Sequence, residues 1–346
     1  MEIKRIESME QVKQLTISPE RKFYSATHEE ILGGATTDVY FVKTLEILDH
    51  LKLGETPVVA EIFPRREGLL AGVQEVINLF SGRDVSIWSL PEGSSFKAKE
   101  VVMRLEGPYN QLGLYETALL GILASSSGWA TAARAAKKAA GQKPVYCFGA
   151  RHVHPAVAPV MERAALVGGA DGASCILGAK LAGKEPVGTV PHAVFLIVGD
   201  TVKVARTYDE IMPPDALRLV LVDTFKDEAE EALRVAEALG KSLHGIRLDT
   251  PSERGGVTPE LVKEVRSRLD MAGYHHVKIF VSGGLYPEKI EALAVAGADA
   301  FGVGSFISGA PPIDMTMDLK VVGGQAVAKR GRIPGITPND RLQKVL

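Results

Sequence analysis

Two glycine-rich strand ends stand one helix apart in FVSGGLYPEKIEALAVAGADAFGVGSF, residues 280–306. A short apolar run ends in Ser282-Gly283-Gly284, and the next ends in Gly302-Val303-Gly304-Ser305. Glycine lets main-chain N–H groups come close to an anion, and a helix N-terminus favours negative charge by about 0.3–1 kcal/mol. The chemistry expected is phosphate binding by the backbone of Gly283, Gly284, Gly302 and Gly304, with the Ser305 hydroxyl as a further ligand. The plainer alternative is two tight strand-to-helix turns that hold nothing. Two other phosphate fingerprints, G-x-x-x-x-G-K-[ST] and a strand-led G-x-G-x-x-G, do not occur.

GIRLDTPSERGG, residues 245–256, puts Arg247 and Asp249 two apart on one strand and so on one face. An arginine and a carboxylate facing inward are costly unless paired or bound to a ligand. Arg247 suits a phosphate or pyrophosphate; Asp249 suits a ribose hydroxyl or a water on Mg²⁺. The alternative is a structural ion pair. Asp223-Thr224, at the end of LVLVDT, could hold sugar hydroxyls or Mg²⁺, or could merely cap the next helix. The acidic run 227–231 reads as a solvated first helical turn. In VYCFGARHVHP, an aromatic acid could stack on Phe148 and place its carboxylate on Arg151. His152 and His154 have no third ligand nearby, which argues against a metal. His192, after the Gly188-Thr189 strand end, is a packed or capping residue, or else an acid–base group or nucleophile. Lys180 and Lys278 are the Schiff-base candidates of an aldolase-type reading, but neither stands at a clear strand end among apolar neighbours.

These residues need elements to position them. Strand-like runs are VYCFGA (145–150), ASCILGA (173–179), PVGTV (186–190), LRLVLVDT (217–224), HGIRLD (244–249), KIFVSGG (278–284) and AFGVGS (301–305). Runs with helical apolar spacing separate most of them, so the pattern predicts a parallel sheet covered on both faces. The polar residues cluster at the C-terminal ends of successive strands, which favours closure into a barrel with one chemical mouth over an open doubly wound sheet. The first hundred residues read differently: TPVVAEIF, DVSIWSL and KAKEVVMRLEG as strands beside a helix that stops at Gly82. From Tyr109 two helical stretches follow, ending at Gly141. The expected division is an N-terminal α/β domain at 1–110, a barrel at 111–310, and a segment at 311–346 that folds back on the N-terminal domain.

The bulk numbers exclude several classes. The 346 residues are 46% hydrophobic and 24% charged, with net charge −2, so no electrostatic case for nucleic acid or an anionic membrane exists. No run is long enough to span a bilayer, and the charged start MEIKRIESMEQVKQL does not read as a signal peptide. Cys147 and Cys175 are too few for a disulfide framework and fit a reducing, cytoplasmic setting.

With FGAR-x-x-HP (148–155), GGADGAS (168–174), GT-x-x-H (188–192), LVDT (221–224), R-x-D (247–249) and the SGG…GVGS pair in this order, the chain resembles the nicotinate phosphoribosyltransferases, type II phosphoribosyltransferases, from about Ala35 to Ile307. The resemblance implies an irregular α/β barrel joined to an N-terminal α/β domain. It implies that nicotinate and phosphoribosyl pyrophosphate give nicotinate mononucleotide and pyrophosphate, in NAD biosynthesis. It also implies coupling to ATP hydrolysis through a phosphohistidine at His192, with Mg²⁺ as cofactor. Phe148, Arg151 and Asp171 then match base-site residues, and Asp223, Arg247 and Asp249 match residues that hold ribose, pyrophosphate and Mg²⁺. TTDVYF (36–41) matches a segment whose tyrosine, here Tyr40, stacks on the base across a subunit interface, so a homodimer or higher oligomer with shared sites is implied. The C-terminal four-cysteine zinc knuckle of some members cannot form, since no cysteine follows Cys175. The extra Lys and Arg pattern of quinolinate enzymes is absent, which favours a monocarboxylate. The alternatives are a nicotinamide- or quinolinate-type enzyme and a non-catalytic nucleotide-binding paralogue.

Overall fold

The computed structural model describes residues 5–346. The chain divides into two compact units, one running to Gly128 and resumed at Pro311–Leu346, the other Trp129–Ala310. The first boundary falls later than residue 110. The stretch from Tyr109 leads into a single helix, Glu116–Ala140, where two were expected. Its alanine- and leucine-rich sequence has no proline to break it, and Gly121 and Gly128 are tolerated inside.

In the first unit, six strands form an antiparallel sheet in the order Gln325–Ala326, Met315–Val322, Pro57–Pro64, Met103–Pro108, Ser86–Ser89, Gln343–Lys344. Both edges come from the chain's last forty residues or so, so the C-terminal segment completes this sheet. One buried group fixes that return. Glu61, 1% exposed, accepts from Arg104 Nη2 at 2.8 Å and from the Thr337 N–H at 3.0 Å.

The second unit carries the expected parallel sheet, in the order Gly172–Ala173, Val145–Cys147, Ala300–Val303, Lys278–Ser282, Gly245–Leu248, Leu219–Leu221. Helices Ala158–Val167, Glu228–Leu239, Pro259–Met271 and Pro287–Ala296 follow successive strands. Buried Val, Ile, Leu and Ala from strands and helices form one core. Helix starts are well defined: Thr258 caps Pro259–Met271 by accepting from the Leu261 N–H, and Asp227 caps Glu228–Leu239.

Three expectations are corrected here. PVGTV forms no strand. It stays extended, with one ladder bond from the Val187 N–H to the Ala173 carbonyl at 2.9 Å, because Pro186 and Pro191 lack N–H groups and Gly188 interrupts it. Among the described residues no strand pair therefore joins the two end strands, and the barrel is irregular. ASCILGA is strand only at Gly172–Ala173 and turns into helix Ile176–Leu181. The acidic run at 227–231 is not simply solvated either. Glu228 and Glu231 are 3% and 0% exposed and are bonded to Thr250 and Arg234.

Candidate active site

The polar strand ends converge on a cavity of about 320 Å³ in the second unit, lined by Phe148, Arg151, Arg247, Asp249, Ser282, the four glycines and Ser305, with Ala150, His152 and Ser174. Alternation along Gly245–Leu248 brings Arg247 and Asp249 to one side, as the sequence predicts. Their contacts form a closed network. Arg247 Nη2 donates to Asp249 Oδ2 at 2.9 Å and Nε donates to Ser282 Oγ at 2.8 Å. The Ser282 hydroxyl in turn donates to Asp249 Oδ1 at 3.0 Å. Arg247 Nη1 donates to Thr189 Oγ1 at 2.7 Å. Three guanidinium nitrogens are thus anchored on three different segments. Two of the five N–H donors of an arginine are left for a ligand. The pair is charge-neutral, which offsets its desolvation.

Asp223 lies at the end of the next strand, 1% exposed, with both carboxylate oxygens 3.1 Å from His192 Nε2. His192 is the first residue of helix His192–Val198 and is itself partly exposed. Burial pushes the Asp223 carboxyl above its ordinary value; the His192 imidazole pulls it down less strongly, and the Asp249 charge adds to the upward shift. Thr224 does not cap a helix. Its Oγ1 is buried without a hydrogen-bond partner, a group left for a ligand or water.

The glycines do more than expose backbone. A Cβ on Gly302 would lie 2.5 Å from Phe148 Cε2, and one on Gly304 would lie 2.7 Å from His152 Cε1. A Cβ on Gly283, whose φ is +89°, would lie 2.8 Å from Asp249 Oδ1. Three of the four glycines therefore make room for side chains of the site. Gly284, with φ +60°, has open space where a Cβ would stand, and all four glycines line the cavity. Phe148 stacks on Phe280 (centroids 5.8 Å, 13°), and the Arg247 guanidinium carbon lies 5.6 Å from its ring centre. Arg151 is exposed on the Ala150–His152 turn and meets no carboxylate among the described residues. His152 Nδ1 lies 3.1 Å from Ser308 Oγ, and burial, with Arg151 beside it, holds its pKa below the ordinary value.

Asp171 is not in this cavity. It precedes its strand, at the opposite end of the sheet, where Oδ2 takes the Val145 N–H at 2.8 Å and Lys137 Nζ at 3.0 Å. Tyr40 belongs to the other unit, on helix Val39–His50, with its side chain exposed. Thr189, Ser282 and Ser174 were not singled out as site residues. All three lay inside motifs, Ser282 in SGG, Ser174 in GGADGAS and Thr189 in GT-x-x-H, but only their neighbours were assigned roles.

For a metal, no group of three or more His, Cys, Asp or Glu is assembled among the described residues. Asp249 lines the cavity and Asp223 is buried against His192, so the strand ends offer too few carboxylates to hold a Mg²⁺ by protein alone.

Residues 38–127 match the N-terminal domain of quinolinate phosphoribosyl transferase, and residues 129–318 match its C-terminal domain. The chain belongs to this family. A nicotinate phosphoribosyltransferase of Mycobacterium tuberculosis is 31% identical over 268 residues, 75% of this chain and 55% of that protein. One from Bacillus subtilis is 32% identical over 223 residues, 63% of this chain and 44% of that protein. The chain spans about half the length of these curated relatives. The crystal structure of nicotinate-nucleotide pyrophosphorylase from Pyrococcus furiosus is similar over 91% of this chain and 82% of that one, with 48% identity and a TM-score of 0.87. Human nicotinic acid phosphoribosyltransferase shares the fold at 19% identity and a TM-score of 0.67, covering 87% of this chain and 77% of that one. No helix among the described residues is long and apolar enough to cross a membrane.

Proposed function

We propose that this member of the family joins nicotinate to phosphoribosyl pyrophosphate, releasing nicotinate mononucleotide and pyrophosphate, in NAD synthesis. The observation that carries this reading is the Arg247–Asp249–Ser282 network set beside Phe148 and the carboxylate-free Arg151 in one cavity. The pyridine nitrogen's lone pair attacks the anomeric carbon. The bond from that carbon to the pyrophosphate oxygen breaks, and its electron pair leaves with pyrophosphate. Such chemistry asks the protein mainly to position and to stabilise charge. Arg247, with its free N–H donors, faces the leaving group. Gly284 and Ser305 suit the 5′-phosphate, and Asp223, Asp249 and Thr224 suit the ribose hydroxyls. A Mg²⁺ bound with the substrate would neutralise the departing pyrophosphate, held by Asp249 with Asp223 beside it. Phe148 offers a ring face and Arg151 one carboxylate partner.

Two finer points belong to the same proposal. His192, gripped at Nε2 by Asp223, keeps Nδ1 for phosphorylation by ATP, which would make transfer ATP-coupled. Exposed Tyr40 would complete the base site of a second copy in a dimer or larger assembly.

A second reading is favoured by the Pyrococcus furiosus match: a quinolinate-type enzyme, in which a second carboxylate leaves as CO₂. The pocket argues against it. Arg247 is already paired and His152 is held toward its neutral form, leaving Arg151 as the one unpaired cation. The deciding experiment measures mononucleotide formed from phosphoribosyl pyrophosphate with nicotinate, quinolinate or nicotinamide, each with and without ATP. Nicotinate turnover stimulated by ATP, and lost stimulation in His192→Ala, is the expected result. Turnover with quinolinate alone would replace this reading by the second.

A further inference from the structure

Glu162 is a buried acid that the chemistry above does not use. It lies on helix Ala158–Val167 and is 0% exposed. Oε1 accepts from Ser174 Oγ at 2.8 Å, and Oε2 accepts from the Cys175 N–H at 2.6 Å. The Ala150 N–H also acts on it, from the other segment. Burial drives its carboxyl upward while these donors favour the ionised form. A carboxylate is an acceptor on both oxygens, so this is the side chain that can satisfy converging donors from two segments at once.

Those segments are two walls of the cavity. Ala150 starts the turn that carries Arg151, after strand Val145–Cys147; Ser174 follows strand Gly172–Ala173. Both line the cavity. The ladder between the strands ends with the Ser174 N–H on the Cys147 carbonyl at 3.1 Å, and beyond that bond Glu162 spans the gap. Helix Ile176–Leu181 passes close enough that a Cβ on Gly178 would lie 3.2 Å from Glu162 Cβ, so glycine there lets the two helices approach.

We propose that Glu162 is a positioning residue for the aromatic-acid end of the site: its carboxylate fixes the Arg151 turn and the Ser174 turn as one wall, and so sets how tightly the pyridine carboxylate is held. This rests on the reading of that end as the pyridine-carboxylate subsite. Arg247 and Asp249 are anchored elsewhere, through Ser282 and Thr189, and stay in place without it.

The test compares wild type with Glu162→Gln, whose amide would set a donor against a main-chain donor. The KM for the pyridine carboxylate is expected to rise about tenfold or more, the scale of a small misplacement of a binding group. The KM for phosphoribosyl pyrophosphate and kcat should move less than about twofold, since its own anchors remain. Hydrogen exchange, which needs no substrate, should quicken together in peptides covering 148–156 and 172–180 and stay unchanged in those covering 245–256 and 280–288. Wild-type exchange in both loops, or equal changes in both KM values, overturns the proposal. If wild type turns over no pyridine carboxylate, the subsite reading fails, and the exchange data alone still decide whether Glu162 couples the loops. Should Glu162→Gln not fold, Ser174→Ala removes one of the bonds; it should quicken exchange across the gap in 148–156, an effect that loss of a direct substrate contact would not produce, and unchanged exchange there overturns the coupling.

Discussion

Asp171 and Asp249 border strands of one parallel sheet, and the difference between their ends of it explains what each can do. Asp171 stands before its strand. Its N–H goes to the Val145 carbonyl at 2.7 Å while its Oδ2 takes the Val145 N–H, so it clamps a neighbouring strand. Asp299 repeats the device on Ile279, with bonds of 2.8 Å and 2.9 Å. Asp249 stands after its strand, at the end where the chain passes into helix N-termini and the backbone field favours anions. It meets Arg247 and Ser282 beside an open cavity. A carboxylate at the strand starts closes the ladder; Asp249, at a strand end, faces an open cavity.

Neutralising each acid in turn separates the two roles. Asp249→Asn should lower turnover on the order of 10²-fold, as loss of one preorganised electrostatic group does. Asp171→Asn should leave turnover within about twofold and lower stability by about 0.5–1.5 kcal/mol, the net worth of an ordinary hydrogen bond at a half-exposed site. Steady-state rates and thermal melts of the two variants check it; a swap of the two phenotypes contradicts it. Arg247→Lys should lose nearly as much activity as Asp249→Asn, because an ammonium cannot bond Asp249, Ser282 and Thr189 in one plane.

Gly302→Ala is the next in size. Its methyl group would occupy the Phe148 ring position, so the KM for the aromatic acid should rise while that for phosphoribosyl pyrophosphate stays nearly fixed. Equal effects on both substrates would return Gly302 to a phosphate role.

Asp223→Asn sharpens the cost of the strand-end position. The folded pKa of Asp223 is raised, so between its ordinary value and the raised one the folded state holds more protons than the unfolded. Stability from this group is therefore lost as pH rises through that window. At neutral pH Asp223→Asn should gain about 0.5–2 kcal/mol while losing activity, the usual exchange at a destabilised site. A melt at neutral pH no higher than wild type contradicts it.

The smallest effect is a control in the other unit. Burial, with Asp318 nearby, raises the Glu116 carboxyl to about 7. By the same sign, stability falls as pH rises from its ordinary range to about 7. Glu116→Gln should match wild type in acid and melt higher at pH 8; parallel melting curves across pH would refute it.

Much of the catalytic end was legible because alternation and strand order are strong local signals. Arg247 and Asp249 had to share a face, and each apolar run had to end in its loop. Asp171 was misplaced because G-A-D before a strand and a motif acid after one look alike in one dimension. The packing of three of the glycines against Phe148, His152 and Asp249 was not legible, because it depends on side chains brought from elsewhere in the fold. Thr189 stood in the GT-x-x-H motif, but its bond to Arg247 depends on how the extended PVGTV segment lies beside a distant strand. Glu162 looked like one charge on an apolar helix, and only the folded chain shows the donors around it.

If phosphoribosyl pyrophosphate binds at the strand ends around Arg247, as proposed, removal of that guanidinium must weaken its binding. Calorimetric titration of that substrate with Mg²⁺ tests it most directly. Wild type and Asp171→Asn should bind alike, and Arg247→Ala should lose binding by about a hundredfold, as removing a charge-assisted phosphate contact predicts. Undiminished binding in Arg247→Ala, with loss in Asp171→Asn, would contradict the account.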